Sequence, residues 1–206
     1  MTEYEIPRVP MTAEEIQAAN LGRVAALNGR IDLREHDPRW TSVFEEEAAR
    51  IRAGLAGPGP GSHLDFRLEH VGSTAVPGLP AKPVVDMLLI VPDSGHEADY
   101  VPVLKALGYE LAIREPEWYE HRVLRRHDLG PRADYVNLHV LSTGCPENER
   151  MLRFRNRLRS HAGDRELYAA TKRALAEQSW QYLQNYADAK SEVVAEIIER
   201  AMTDDA

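Results

Sequence analysis

The sequence predicts a mixed α+β (mixed α/β) domain, and three stretches carry that expectation. Leu64, Phe66, Leu68 and His70 alternate with Asp65, Arg67, Glu69 and Val71, the period-2 pattern of a half-buried strand. Val84 to Val91 is apolar on both faces apart from Asp86, which marks a strand covered on both sides. From Pro146 onward, apolar residues recur at helical spacing: Met151, Leu152, Phe154 and Leu158, then Leu167, Tyr168, Leu175 and Trp180, then Val193, Val194, Ile197, Ile198 and Met202. A sheet with helices before and between its strands, followed by a helical C-terminal portion, is the layout these stretches imply.

The elements follow in chain order. Thr12 and Glu15 have capping-box spacing, and Ile16, Val24 and Leu27 predict a short helix over 12–27, inside an N-terminal extension of residues 1–30. Its apolar stripe is thin, suited to an add-on to the core or to a contact in a homodimer. Residues 30–34 read as a short strand. Asp37 is a good N-cap and Pro38 suits the first helical position of a longer helix, with Trp40, Val43, Phe44, Ala48, Ile51 and Leu55 on its apolar stripe. The run GPGPGS at 57–62 ends it. Beyond Val91, residues 97–107 predict a helix stopped by Gly108, and 109–114, 121–126 and 135–141 predict three further strands. Residues 31–203 are expected to form a single domain.

Composition narrows the function classes. The 206 residues are 43% hydrophobic and 28% charged, ordinary for one soluble domain able to bury its own core. Cys145 is the only cysteine, which excludes an intramolecular disulfide and a cysteine-built zinc site. No N-terminal apolar run resembles a signal peptide and nothing approaches 18 consecutive apolar residues, so the expected location is cytoplasmic, with no membrane partner. With 25 basic and 33 acidic residues the formal charge is −8, so nucleic acid is not expected as a main partner. A small phosphorylated ligand needs only a local positive pocket.

The chemistry concentrates in HVGSTAVPGLPAKPVVDMLLIV, residues 70–91. A strand ending in Gly72-Ser73 can turn sharply, because glycine tolerates positive φ and close backbone approach. The exposed N–H groups and the Ser73 and Thr74 hydroxyls are then placed to receive phosphate oxygens; the alternative is an ordinary tight turn. Asp86 inside an apolar run is costly to bury as an isolated charge. It needs hydrogen bonds, a cation, a metal or an accessible strand end, and Lys82, four residues earlier, is a candidate salt-bridge partner.

The segment EHVGSTAVPGLPAKPVVDM closely resembles the signature of the GrpB family, E-H-[IV]-G-S-T-x-V-P-G-L-x-x-K-P-[IV]-[IV]-D. Asp37-Pro-Arg-Trp40 with FEEEAARI resembles the family's leading helix, Asn137-Leu-His-Val140 its His-Leu-His-Val strand, and LRFRNRLRSH, YAATKRALA and YADAK its later helices. The resemblance runs from about Ile31 to Ala201. It implies a fold similar to the nucleotidyltransferase superfamily, with Gly72 and Ser73 as the phosphate-side turn and Asp86 as the first metal carboxylate. The implied cofactor is magnesium. The implied chemistry is in-line attack of a small-molecule or protein acceptor on the α-phosphate of a nucleoside triphosphate.

Two positions depart from the pattern. The superfamily's Asp-x-Asp has Leu88 at its second position here, and the family's first strand histidine is Asn137. Glu69, beside the turn, is the nearest candidate for a second metal ligand. His139 is a candidate to bind phosphate or metal or to move a proton, or else is a hydrogen-bonded core histidine. Lys82, Arg122 and Lys190 are candidates to hold phosphate, against a salt bridge, a surface arginine and a snorkelling lysine respectively. The arginines at 150, 153, 155, 157 and 159 spread around a helix and read as a solvated face.

The expected function is therefore a metal-dependent nucleotidyltransferase. The alternative is a non-catalytic nucleotide- or phosphate-binding module. GrpB-like domains also occur joined to dephospho-CoA kinases, which links that alternative to coenzyme A metabolism by resemblance. A phosphohydrolase using His139, Glu69 and Asp86 ranks third.

Overall fold

The computed structural model describes residues 10–57 and 64–203, so most of the GPGPGS stretch lies outside the described residues. The expected mixed α+β class is the one found. Five strands form one mixed sheet in the order β1-β2-β5-β4-β3. They are β1 (Arg67–Val71), β2 (Val84–Val91), β3 (Glu110–Glu115), β4 (His121–Arg126) and β5 (Tyr135–Ser142). β2 and β5 run parallel, and the other pairings are antiparallel.

The register decides which residues can meet. Asp86 lies beside Asn137 and Leu88 beside His139 across the parallel pair. Val123 and Arg125 of β4 lie opposite His139 and Asn137. Because side chains alternate along a strand, Asp86, Asn137, His139, Val123 and Arg125 share one face of the sheet. Val85, Met87, Leu89, Leu124, Leu138 and Val140 share the other and pack under α2 (Arg39–Leu55) and α3 (Val101–Ala106). Trp40, Ile51, Leu55, Tyr100 and Leu104 complete that main core, each almost wholly buried. A buried leucine or isoleucine contributes roughly 1.5–3 kcal/mol, so this layer holds the sheet rigid beneath the polar face.

The polar face is partly roofed by the C-terminal helices α4 (Pro146–Ser160), α5 (Ala162–Ala176), α6 (Leu183–Asp188) and α7 (Ser191–Thr203). Over the β1–β2–β5 half, Val71, Leu88 and Leu141 pack against Met151 and Leu152 of α4. Further along, Val76 and Leu79 of the β1–β2 connection meet Leu158, Tyr168, Val193 and Ile197.

Several sequence expectations shift. The first helix, α1, spans only Ala13–Ala19; its Thr12–Glu15 capping box forms as expected. Beyond Asn20 the backbone bonds elsewhere: Leu21 N–H donates to Ala112 O at 3.0 Å and Leu27 N–H to Gln181 O at 2.8 Å. Asn20 and Gly22 are weak helix formers, and these contacts win. The strand expected at 30–34 reduces to isolated bridges, Gly29 with Trp180 and Arg34 with Ala81. The helix expected at 97–107 splits into a 3₁₀ turn, Glu97–Asp99, and α3, which starts beside Pro102 where the missing N–H is harmless.

The arginine run of α4 is not a solvated face. Arg155 is buried and donates to Glu69 Oε2 and to the His70 carbonyl, both at 2.8 Å. Arg157 pairs with buried Asp164 at 2.6 Å, and Arg159 donates to the Ala75 carbonyl at 2.8 Å. Among the described residues, no helix is long and apolar enough to cross a membrane.

Candidate functional site

β1 ends at Val71, directly opposite Asp86, and the chain then turns at Gly72 into a 3₁₀ turn, Ser73–Ala75. Gly72 has φ +69° and ψ −170°, a region that is nearly glycine-only. A Cβ at this position would stand 2.5 Å from Asp86 Oδ2, so the turn's backbone lies against the carboxylate with no room for a side chain. The other carboxylate oxygen, Oδ1, accepts from Asn137 Nδ2 at 3.1 Å and faces His139 Nε2 at 3.7 Å. Asn137 Oδ1 in turn accepts from Arg125 Nε at 3.1 Å. Burial opposes ionisation of Asp86, but His139, the Asn137 amide and the charge of Lys82 together hold its carboxyl below the usual aspartate range.

Behind His139 stands a second histidine. His139 Nδ1 lies 3.1 Å from His121 Nε2, and His121 Nδ1 lies 2.7 Å from Glu115 Oε2. The two imidazoles are stacked, with ring planes 11° apart. His139 forms part of the wall between two hollows. The larger, about 920 Å³, lies between the polar sheet face and helices α5 and α6; the smaller, about 360 Å³, is lined by Trp118, His121 and Met151 among others. Ile16 of α1 and the segment after it, to Ala25, wall the larger cleft, so the N-terminal segment bears on the site.

The charge of the larger cleft runs against that of the whole chain. Arg23, Lys82, Arg125, Lys172 and Lys190 line it, against the carboxylates Asp86 and Glu110. Lys82 precedes β2 on a loop pinned by reciprocal backbone bonds between Arg34 and Ala81, at 2.9 and 2.8 Å. Lys82 forms no ion pair with Asp86 within 4.0 Å among the described residues, so the simple salt bridge is not what accommodates that aspartate. Lys172, 3% exposed, donates to the Pro80 carbonyl, and its ammonium sits 5.3 Å from the Tyr168 ring centre. Lys190 donates to the Tyr186 carbonyl at 2.8 Å and lies 3.8 Å from the Tyr186 ring centre, with Lys82 at 5.8 Å from the same ring. Burial, with the charge of Lys82 next, lowers Lys172 to about 7 and Lys190 to about 6. Burial also lowers Lys82, against the pull of Asp86.

Of the residues singled out by sequence, Gly72, Ser73, Lys82, Asp86, His139 and Lys190 come together around this cleft. Three do not. Thr74 is buried, its hydroxyl 3.2 Å from His70 Nε2, committed inward rather than to the cleft. Arg122 occupies the opposite sheet face, buried and paired with Glu97 and Glu120 at 2.7 and 2.9 Å, because its position in β4 is out of phase with Val123 and Arg125. Glu69 shares a face with Asp86 but is engaged by Arg155 and Arg67, both at 2.8 Å.

The family model described as GrpB protein matches residues 30–200. The chain belongs to the GrpB family. A UPF0157 protein of Halalkalibacterium halodurans is 50% identical over 192 residues, 93% of each chain. A dephospho-CoA kinase of Mycolicibacterium paratuberculosis is 28% identical over 182 residues, 78% of this chain and 43% of that protein. The solved GrpB protein of Enterococcus faecalis superposes with a TM-score of 0.68 at 28% identity, covering 84% of this chain and 98% of that one. The Cid1 poly(U) polymerase, solved with MgGTP bound, gives a TM-score of 0.42 at 15% identity over 69% of this chain and 46% of that one.

The donor set of this GrpB cleft does not fit a resident magnesium pair. Leu88, two residues beyond Asp86 on the same sheet face, is wholly buried among Val71, Leu141, Met151 and Leu152. Glu69 is held away by its arginines, and no group of three or more His, Cys, Asp or Glu among the described residues is arranged to hold a metal. Magnesium takes hard oxygen ligands in octahedral array, whereas Asp86 stands among lysines and an amide donor.

Sequence reasoning missed Lys172 and Arg125, and the two tyrosines beneath the lysines. A signal was available in YAATK and YADAK: each sets Tyr and Lys four residues apart, the first pair on one face of α5 and the second running from α6 into the turn that follows it. Arg125 shows itself only through register, since nothing local in HRVLRR distinguishes it from Arg122.

Proposed function

We propose that the cleft binds a nucleoside triphosphate and transfers its nucleotidyl group to an acceptor hydroxyl. The observation that supports this best is the Gly72-Ser73 backbone set against Asp86 at the foot of a cleft lined by lysines. The phosphates lie along the turn and the lysines. The acceptor approaches from the smaller hollow, so that His139 stands between acceptor and nucleotide. The acceptor oxygen bonds to the α-phosphorus, the bond from that phosphorus to the bridging oxygen breaks, and pyrophosphate departs. The acceptor proton passes to His139 Nε2. Glu115 supports this by accepting from His121 Nδ1–H, which lets His121 Nε2 accept from His139 Nδ1–H and leaves His139 Nε2 as the basic nitrogen, 3.7 Å from Asp86 Oδ1, where the carboxylate stabilises the imidazolium that forms.

Calorimetry with ATP, CTP, GTP and UTP, followed by pyrophosphate release with serine, glycerol and pantetheine as acceptor probes, tests the reading. We expect binding of at least one nucleotide, and His139→Gln to cut pyrophosphate release by about 10²-fold or more while binding persists. Absence of nucleotide binding refutes the proposal. Binding with no release favours the second reading, a phosphate-ligand-binding module, which Leu88 in its apolar cluster supports. The likeness to part of a dephospho-CoA kinase makes coenzyme A precursors the first ligands to try for such a module.

A further inference from the structure

A chain of charge −8 gathers three lysines at one end of a cleft, each from a different segment and each over an aromatic ring or against a carbonyl. Lys82 and Lys190 share the Tyr186 ring, and Lys172 occupies the Tyr168 ring. Such proximity of like charges, partly desolvated, is unfavourable in the free protein. Tyr186, 1% exposed, also lines the cleft, and its buried hydroxyl has no hydrogen-bond partner among the described residues. An orphaned buried hydroxyl is unfavourable unless something satisfies it.

We propose that Lys82, Lys172 and Lys190 form a cradle that binds the polyphosphate tail of a nucleotide directly, without a protein-held divalent metal. The three ammonium groups supply the positive charge that paired carboxylates would otherwise recruit as magnesium, which is why Leu88 can be apolar. The tyrosine rings hold the three lysine side chains in place before the ligand arrives, and the charge of the polyphosphate draws Lys172 and Lys190 into their ammonium forms as it binds. The proposal rests on the nucleotide reading for the nucleoside end only; the tail chemistry stands by itself and takes inorganic tripolyphosphate as a probe.

The test is calorimetry of the full chain with tripolyphosphate and with the four nucleoside triphosphates, each in EDTA and in excess magnesium. Lys172→Met and Lys190→Met are measured beside wild type, with melting curves to confirm folding; both remove a buried charge and should fold. We expect metal-free binding no more than about threefold weaker than with magnesium, and each variant to weaken it at least tenfold, the change that about 1.4 kcal/mol produces. Binding that appears only with magnesium, or metal-free binding untouched by both variants, overturns the cradle while leaving the nucleotide reading intact. Lysine-dependent, metal-free binding of tripolyphosphate with no nucleotide bound supports the cradle and refutes the nucleotide reading. Failure of every ligand under both conditions refutes both.

Discussion

Gly72→Ala is the substitution whose cost can be worked most directly from the structure. Two separate penalties arise. The residue must hold φ +69° and ψ −170°, a conformation that costs a non-glycine residue about 1–3 kcal/mol. Its new methyl group would also stand 2.5 Å from Asp86 Oδ2, so the carboxylate must move and the bond from Asn137 is lost. A hydrogen bond to a charged group contributes about 1.5–3 kcal/mol. Together they predict a loss of roughly 2.5–6 kcal/mol, and at about 2–4 °C per kcal/mol for a chain of this size the melting temperature falls by about 5–24 °C. Thermal denaturation followed by circular dichroism measures it. Repeating the substitution in an Asp86→Ala background separates the penalties: with the carboxylate gone the backbone share remains, beside a tight 3.0 Å contact with the Cβ of residue 86, so the coupling between the two sites is at most about 1.5–3 kcal/mol. A melting temperature within about 1 °C of wild type would mean that the turn does not press on Asp86. Equal losses in both backgrounds would refute the contact while leaving the strain.

Two further outcomes follow from the same site. Lys172 and Lys190 are lowered to about 7 and about 6 in the folded chain, while free lysine titrates near ~10.4. Between those values the unfolded chain binds more protons than the folded one, so stability rises with pH from about 6 to about 10, by at most ~1.4 kcal/mol per pH unit for each lysine. Urea denaturation at about pH 6.5 and about pH 9 should show the rise, and Lys172→Met should flatten it and stabilise the protein most at the acid end; a difference from wild type that is independent of pH refutes the burial reading. Leu88→Asp should not create a metal site. It places a carboxylate among Val71, Leu141, Met151 and Leu152, and should destabilise by more than about 3 kcal/mol with no gain in magnesium affinity by calorimetry; a stable variant that binds magnesium refutes this account of the position.

Legibility from sequence followed the reach of each interaction. β2 and β4 fall on their expected residues, and β5 runs one residue beyond its expected end, because continuous apolar runs and alternation are written locally. The capping box of α1 was legible for the same reason, but its C-terminal limit was not. The bonds that straighten Leu21 and Leu27 come from Ala112 and Gln181, far along the chain. The arginines of α4 misled for a related cause. A helix read alone shows no partner for Arg155, since Glu69 and the His70 carbonyl reach it from 86 and 85 positions away.

The same distinction separates Arg122 from Lys172. Arg122 looked like a phosphate ligand because it is basic and near the expected sheet, yet one step of strand phase turns it onto the opposite face to meet Glu97 and Glu120. Lys172 was not singled out by the sequence, yet α5 delivers it, almost wholly buried, to the cleft that the Gly-Ser turn opens. Burial distinguishes the two in opposite directions. Arg122 is buried with its carboxylates and is satisfied; Lys172 is buried with other lysines and retains only one carbonyl and a ring. A cation left in that state is incompletely compensated within the chain, and an anion is the ligand class that would complete it. Asp86, with Asp134 acting on Lys82 and Asp188 on Lys190, does not offset the burial of these lysines. The departure at Leu88 therefore changes the question posed by the sequence motif: what has to be accounted for is less a missing carboxylate than a surplus of ammonium groups.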